Sequence, residues 1–264
     1  MTTLAAYIAV VAGHLDGATR YLFRGQRELP WALKPSVARH PRNSADVERE
    51  MLEEFKLRSI PYLESTLDLS DADWLAIAQH HEMPTRLLDW TGNALAALWF
   101  AINLPGVASA DRTKEPPDAA VWVLGYEQGD LLSDQERRNP LAVNRTALFR
   151  PRHVSRRIAA QDGWFTVHRS HENKEDRFVS LESNKEFEKR VHYVSIPAVS
   201  FGSMRLQLRT AGVTSATLFP DLVGVARLVA GVYLFSDDEI LPRLGSQLGL
   251  EWLIGTNDGD DVAR

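Results

Sequence analysis

One segment limits the possible folds of this chain more than any other: residues 94–102 are apolar at every position. Thr91 or Asn93 can cap a helix at its start, and Pro105 ends it. A helix with no polar side has nothing to present to water, so other elements must bury it. At about 93–104 it is too short to cross a bilayer, which predicts one buried apolar helix inside a globular domain.

The other periodic segments mix strand and helix patterns, which predicts an α+β fold. Apolar or alternating runs indicate strands at 20–25, 119–124, 164–168 and 191–197. Helical spacing and capping residues indicate helices at 3–13, 45–59, about 71–82 and about 200–211, and a last one through 228. We expect a mixed or antiparallel central sheet packed with these helices. Residues 126–150 are expected to be irregular with one short helix, and residues 169–190 to form a mobile excursion.

Composition and charge exclude several classes of protein. The chain has 264 residues, a net charge of −5 and no cysteine, so disulfides, thiolate nucleophiles and cysteine-ligated metals are excluded. The acidic balance gives no overall attraction to nucleic acid or to an anionic membrane. P-loop, dinucleotide-binding, zincin and nucleophile-elbow motifs are missing from the sequence. We expect a single domain over 1–256 and a disordered tail at 257–264, in a cytoplasmic protein with no membrane partner.

The densest group of polar side chains lies just before the apolar helix, in residues 78–91. His80 and His81 fall in the last turn of a predicted helix, where the helix dipole favours the protonated form. They are interpreted as structural, as ligand-contacting or acid–base groups, or as metal ligands, the last being least favoured because adjacent helical side chains diverge. Arg86 and Asp89 either pair with each other in the core or leave Arg86 to grip a phosphate or carboxylate.

A second group, residues 21–26, is expected to fold against the first. Arg24 lies at the end of a predicted strand, and Gly25 would let an anionic ligand approach bare backbone. The alternative is that Arg24 forms an ion pair with a carboxylate such as Asp89.

Two charged segments lie outside these groups. In the helix at 45–59, Val47, Met51 and Phe55 form the predicted inner stripe, and the acidic side chains are expected in solvent (Glu48, Glu50, Glu53, Glu54). Further on, a basic run is interpreted as a solvated face or as a contact to a nucleic-acid backbone (Arg150, Arg152, His153, Arg156, Arg157).

Together these residues resemble the FRG domain family. Phe23-Arg24-Gly25 corresponds to the motif that names the family, and the strongest similarity covers residues 78–81 and 84–91. Weaker similarity at 161–165 and 218–221 extends the resemblance over about 20–225. The family usually has glycine where this chain has Glu82. The resemblance implies a bacterial, phage-associated protein with a toxin or anti-phage role.

A weaker similarity to the ADP-ribosyltransferase superfamily implies a chemistry. The first motif of that superfamily places Arg or His on the first strand to hold NAD, a polar second motif precedes a helix, and the third ends in a catalytic glutamate. Residues 161–163 match the third motif by position but lack this glutamate, so the carboxylate would be Asp89 or Glu54. The implied catalytic residues are Arg24, His81, Asp89 and Glu54. The implied NAD-binding residues are Arg24, Gly25, Gln26, Gln79, His80, Thr85 and Arg86.

Three functions are therefore predicted, in this order. The first is an NAD-dependent ADP-ribosyltransferase-like enzyme, a toxin or defence effector that acts on nucleic acid or protein and is paired with an antitoxin or chaperone. The second is a non-catalytic module that binds nucleic acid or protein, with a structural His/Arg/Asp network. The third is a metal-independent nuclease with His81 as general base.

Overall fold

The computed structural model describes residues 2–15, 17, 19–29, 31–62, 68–103, 117–152, 156–171 and 176–244. Its strands are β1 (Arg20–Gln26), β2 (Leu87–Thr91), β3 (Ala119–Tyr126), β4 (Ala147–Phe149), β5 (Gly163–Val167) and β6 (Val191–Ile196). Its α-helices are α1 (Leu4–His14), α2 (Ala45–Ser59), α3 (Asp71–His80), α4 (Ala94–Ile102), α5 (Asp134–Arg138), α6 (Arg156–Ala160), α7 (Phe201–Thr210), α8 (Ser215–Leu218) and α9 (Leu222–Tyr233).

The strands form one six-stranded sheet in the order β4-β5-β2-β1-β3-β6, and every pair of neighbours is antiparallel. The predicted α+β fold with an antiparallel central sheet is therefore confirmed. The apolar run of β3 lies beside β1 and is buried at all eight positions.

Two helical groups cover the face of the sheet that carries Phe23 and Leu87. The apolar helix α4 packs with α1 and α7 over β1 and β3, in a core that contains Phe23. Helices α2 and α3 contribute Leu52 and Leu75 to a second core with Leu87 and Phe165. The boundary between the two cores runs along β2, which places the middle of that strand between α3 and α4.

Most helix starts follow from local capping chemistry. Ser44 accepts from the backbone N–H of Val47, and Ser70 forms a capping box with Asp73. Asn93 accepts from the N–H groups of Leu95 and Ala96 and so begins α4. The predicted central helix is confirmed over its described part, since Ala96, Ala97, Leu98, Trp99, Ala101 and Ile102 are all buried. Leu104 lies outside the described residues.

Three predictions about the extent or order of chain segments are wrong. Residues 126–150 contain β4 in addition to the short helix α5, and a strand of three residues is too short for a periodic signal. The last helix extends beyond residue 228 to Tyr233. The charged stretch 169–190 is anchored in the described part by Phe178, Leu181 and Phe187, which are buried, so it is not a mobile excursion there.

The inner face of α2 also differs from the prediction. Val47, Met51 and Phe55 are only half-buried, whereas Leu52 and the carboxylate of Glu48 are fully buried. Glu48 lies inside because two arginines surround it, as described below. Glu50, Glu53 and Glu54 are exposed as predicted.

Two further predictions fall on parts of the chain with limited description. The disordered tail at 257–264 lies outside the described residues, as does His153. Across the described ranges, none of the helices has both the length and the apolar character that a membrane crossing requires.

Candidate functional site

The two motif groups lie side by side on the neighbouring strands β1 and β2, which pair at Phe23 and Thr91. One residue beyond this pair, Nη1 of Arg24 donates a 2.8 Å hydrogen bond to the backbone carbonyl of Asp89. The same nitrogen lies 3.6 Å from the Asp89 carboxylate. The expectation that the two groups meet is therefore confirmed, and the ion pair that they form is Arg24 with Asp89.

Asp89 is an accessible carboxylate in the middle of a central strand. Leu87, two residues before it, belongs to the α2–α3 core, and Phe23, which pairs with Thr91 two residues after it, belongs to the α4 core. Asp89 lies between them with 56% of its side chain exposed. Nε2 of Gln79 donates to its Oδ2 at 3.0 Å. Gln79 in turn accepts a 2.6 Å bond from the hydroxyl of Thr85. The carboxylate is thus held in place by neighbours and still open to a ligand.

The side chain of Arg24 is largely buried, and the protein uses only some of its hydrogen-bond donors. Burial lowers the pKa of its guanidinium, Asp89 opposes this change, and the nearby Arg39 reinforces it. Within the described residues its Nε is buried and has no hydrogen-bond partner. Only part of its donor set is therefore used by the protein.

The two histidines close one side of this site at the end of α3. Their rings meet edge to face with centroids 5.1 Å apart, His80 half-buried and His81 exposed. Burial lowers the pKa of His80, the charges of His81 and Arg157 lower it further, and Asp89 and Asp221 oppose them. Burial and the nearby cations therefore act against the protonated form that the helix dipole is predicted to favour. His80 is therefore a neutral imidazole near pH 7.

The turn that follows α3 places its unusual residue, Glu82, in a backbone conformation that is typical of glycine. Glu82 has φ +68°, a left-handed conformation that glycine adopts without steric cost. The position at which the FRG family usually has glycine is thus one where the backbone favours glycine.

Arg86 does not belong to this site. Its Nε and Nη2 donate to the two carboxylate oxygens of Glu48 at 2.7 and 3.0 Å, and its Nη1 donates to the carbonyl of Leu141 at 2.9 Å. Arg177 adds a further bond to Glu48 at 3.0 Å. The predicted Arg86–Asp89 pair is wrong, and so is a ligand-binding role for Arg86, because its donors are used inside the core.

Four other predicted site residues have structural roles. A Cβ on Gly25 would lie 2.0 Å from the carbonyl oxygen of Ala97, so this glycine lets α4 pack on β1. Gln26 is buried and accepts from the indole N–H of Trp122. Thr85 is buried and bonded to Gln79. Glu54 lies on the exposed side of α2, where it pairs with Arg58.

The four described arginines of the basic run have different environments. Arg150 forms an ion pair with Asp162 at 2.7 Å, and Arg152 lies 3.9 Å from Asp73. Arg156 is exposed. Arg157 lies instead beside the site, with its guanidinium carbon 4.2 Å from the ring centroid of Phe219. Arg150 and Arg152 are thus already paired with acids.

The weaker motif segments also converge on this end of the sheet. The hydroxyl of Thr91 donates to the carbonyl of Gln161 at 2.6 Å, and the N–H of Gly92 donates to that of Asp162 at 3.1 Å. Nε2 of Gln161 donates to the carbonyl of Leu218 at 3.0 Å. Residues 161–163 and 218–221 are therefore connected to the end of β2, next to the site.

Sequence reasoning missed two contributors to the site. The sequence pattern places Arg157 only in the basic run and Asp221 only in a weak motif segment. Asp221 caps α9 through a 2.8 Å bond from the N–H of Gly224, and its charge acts on His80. The sequence signal that could identify Asp221 is the weak motif at Leu218–Asp221.

Two further observations concern metal binding and the position of a cavity. In the described part of the chain, no group of three or more His, Asp or Glu side chains could hold a metal ion. An apolar cavity of about 280 Å³ lies between α1 and β6, and its lining includes Val10, Val123 and Tyr193 but none of the predicted site residues.

Comparison with known proteins gives one match. The FRG domain model matches residues 19–108, which contain both motif groups, β1, β2 and α4. The match supports the FRG family for this part of the chain. No significant match was found among curated proteins or solved structures.

Proposed function

We propose that this protein is an NAD-dependent ADP-ribosyltransferase-like enzyme. The observation that carries the proposal is Asp89, an exposed carboxylate on a central strand, held by Gln79 and Arg24 beside the half-buried His80. A central strand normally buries such a position. An acid held there in the open gap between two helical cores suits contact with a ligand.

The chemistry of ADP-ribosyl transfer needs this kind of group. The bond between nicotinamide and the ribose carbon breaks, nicotinamide leaves with the bonding electrons, and the sugar becomes cationic in the transition state. A fixed carboxylate stabilises that charge, as in glycoside cleavage. Asp89 takes this role in the proposal.

The remaining groups have separate tasks. The acceptor nucleophile then bonds to the same ribose carbon and must lose a proton, and neutral His80 accepts it. The side chain of Arg24 is 23% exposed and has donors that the protein does not use, and it holds an anionic part of NAD. Gln79 and His81 position the nicotinamide or the ribose hydroxyls. Arg86 and Glu54 have no part in this proposal.

The sheet order supports the same reading. The resemblance assigns the first motif to β1, the second to the segment that ends in β2, and the third to residues 161–163 at the start of β5. These three strands are consecutive in the sheet, in the order β5-β2-β1. Segments that are separated in sequence are therefore neighbours where the proposed chemistry needs them.

The wider biological role is part of the same proposal. The enzyme acts in the cytoplasm as a toxin or anti-phage effector, with nucleic acid or protein as acceptor and an antitoxin or chaperone as partner.

NAD binding and nicotinamide release test the proposal. In Asp89→Asn we expect release to fall about 100-fold or more, because the transition-state charge loses its counter-charge. The melting temperature should hardly change, since Asp89 is exposed. Asp46→Asn, an exposed acid on α2, is the matched control. A folded wild type that neither binds NAD nor releases nicotinamide would contradict the proposal.

The second candidate is a non-catalytic binding module. It is favoured by one observation, the chain of bonds from Thr85 through Gln79 and Asp89 to Arg24, which is also what a structural network looks like. Arg24→Ala separates the two candidates. Loss of turnover at an unchanged melting temperature supports the enzyme, and a large fall in melting temperature supports the structural network.

A further inference from the structure

Two arginines share one aromatic ring at the edge of the site. The guanidinium carbon of Arg157 lies 4.2 Å from the ring centroid of Phe219, and that of Arg227 on α9 lies 5.4 Å from the same centroid. Stacking on an aromatic face fixes the plane of a guanidinium and leaves its edge free for hydrogen bonds. Both guanidinium groups are thus held against the same ring.

Neither cation is neutralised by a carboxylate within the described residues. The guanidinium of Arg157 has no ion pair there, and its Nε is buried without a hydrogen-bond partner. Asp221, the acid on the segment that joins Phe219 to α9, directs Oδ1 to the N–H of Gly224. The Nε donor is enclosed, so the Nη nitrogens of Arg157, which have no hydrogen-bond acceptor among the described residues, are the donors left for an anionic ligand.

The position of the pair connects it to the site. Gln161, one turn after Arg157, accepts from Thr91 at the end of β2 and donates to Leu218 next to Phe219. Arg157 is also close enough to His80 for its charge to lower the pKa of that imidazole. The two arginines and the Asp89–His80 site therefore belong to one continuous region.

We propose that Arg157 and Arg227, held against Phe219, bind the diphosphate of a nucleotide ligand whose reactive sugar reaches Asp89. This inference rests on the proposed function for the sugar, but the diphosphate site itself stands on the two arginines. Guanidinium groups bind phosphate oxygens through paired N–H donors, and two of them match the charge of a diphosphate.

The surroundings favour a small ligand over a polymer. A nucleic-acid surface needs a run of free cations along the backbone. Here two other arginines of the run, Arg150 and Arg152, are paired with Asp162 and Asp73, and the chain carries a net charge of −5. The available positive charge is therefore local.

Calorimetric titration with ADP-ribose, ADP and adenosine tests this site on the full chain. We expect ADP-ribose and ADP to bind the wild type and adenosine to bind far more weakly. In Arg157→Gln and in Arg227→Gln, affinity for both diphosphates should fall about tenfold or more, as expected when a charged hydrogen bond is lost. Arg49→Gln, an exposed arginine on α2, is the control and should stay within about twofold of the wild type.

The outcomes separate this inference from the proposed function. Arginine-dependent binding of ADP by a protein that never releases nicotinamide from NAD would keep the diphosphate site and reject the enzyme. No binding of either diphosphate, or equal binding by both variants, would overturn the site. A single-stranded oligonucleotide that binds through Arg157 where ADP does not would also overturn it, in favour of a polymer. If Arg157→Gln lowers the melting temperature, the exposed Arg227→Gln decides alone.

Discussion

At the scale of single residues, Glu48 is a buried carboxylate shared by two arginines. Its side chain is 4% exposed, and it accepts hydrogen bonds from Arg86 and Arg177. Arg86 itself is 1% exposed and has no other carboxylate partner among the described residues. Such an arrangement is stable only while all its charges are present, because a buried charge without a partner costs several kcal/mol.

Glu48→Gln is therefore expected to destabilise the fold strongly. The substitution keeps the shape of the side chain but leaves two buried guanidinium groups without a counter-charge. We expect the free energy of unfolding to fall by about 3–5 kcal/mol. Urea denaturation followed by circular dichroism measures this loss.

The same helix supplies the control. Glu54→Gln makes the same chemical change in an exposed pair with Arg58, and its cost should be about 0.5 kcal/mol or less. Equal losses of unfolding free energy in the two variants would show that burial of the Glu48 ion pairs does not increase the cost of removing the carboxylate charge.

At the scale of elements, the contact between α4 and β1 depends on Gly25. An added Cβ would lie 2.0 Å from the carbonyl oxygen of Ala97 and 2.6 Å from the backbone nitrogen of Ala101. Both obstacles are helix backbone, so α4 would have to move away from the sheet. Gly25→Ala should lower the free energy of unfolding by about 3 kcal/mol or more, at the upper end of overpacking costs.

Thermal denaturation of Gly25→Ala beside Gly129→Ala measures that contact. Gly129 is exposed, and nothing lies within 4 Å of a Cβ built there, so its substitution should be nearly neutral. A Gly25→Ala variant as stable as the Gly129→Ala control would mean that α4 does not pack this closely on β1.

The elements also show what could be predicted from the sequence and what could not. Ser44, Ser70 and Asn93 begin helices through bonds to groups two or three residues away, so their effect is visible locally. The partner of Arg86 is Glu48, 38 residues earlier, and neither the pattern of α2 nor the motif around Arg86 specifies that choice. Short-range chemistry is thus readable from sequence, whereas the choice among several acids for one arginine is made by the fold.

The same distinction between local signals and long-range partners applies to the candidate site. The Arg24–Asp89 ion pair was one of two alternatives, but the meeting of the two dense motifs that carry these residues was predicted. The neighbours of His80 were not, since Arg157 and Asp221 come from α6 and from the start of α9. Burial of the ring and the charge of Arg157 lower the pKa of His80, whereas the charge of Asp221 opposes this change.

At the scale of the whole molecule, buried imidazoles couple folding to pH. His168, next to the end of β5, is fully buried, and burial lowers its pKa to about 4. A hydrogen bond with the backbone of Val179 opposes this change, and the charges of Arg24 and Arg86 add smaller effects in the same direction as burial. Because the unfolded chain takes up this proton near pH 6.5 and the folded chain resists it until about pH 4, stability is complete above pH 6.5 and falls as the pH is lowered. Between pH 6.5 and pH 5 the loss due to His168 should be about 2 kcal/mol at most.

Urea denaturation at pH 7.5, 6 and 5 should show a smaller loss in His168→Gln than in the wild type. The exposed His192→Gln should keep the wild-type slope. An unchanged slope in His168→Gln would assign the acid sensitivity to other groups, with half-buried His80 the first to examine.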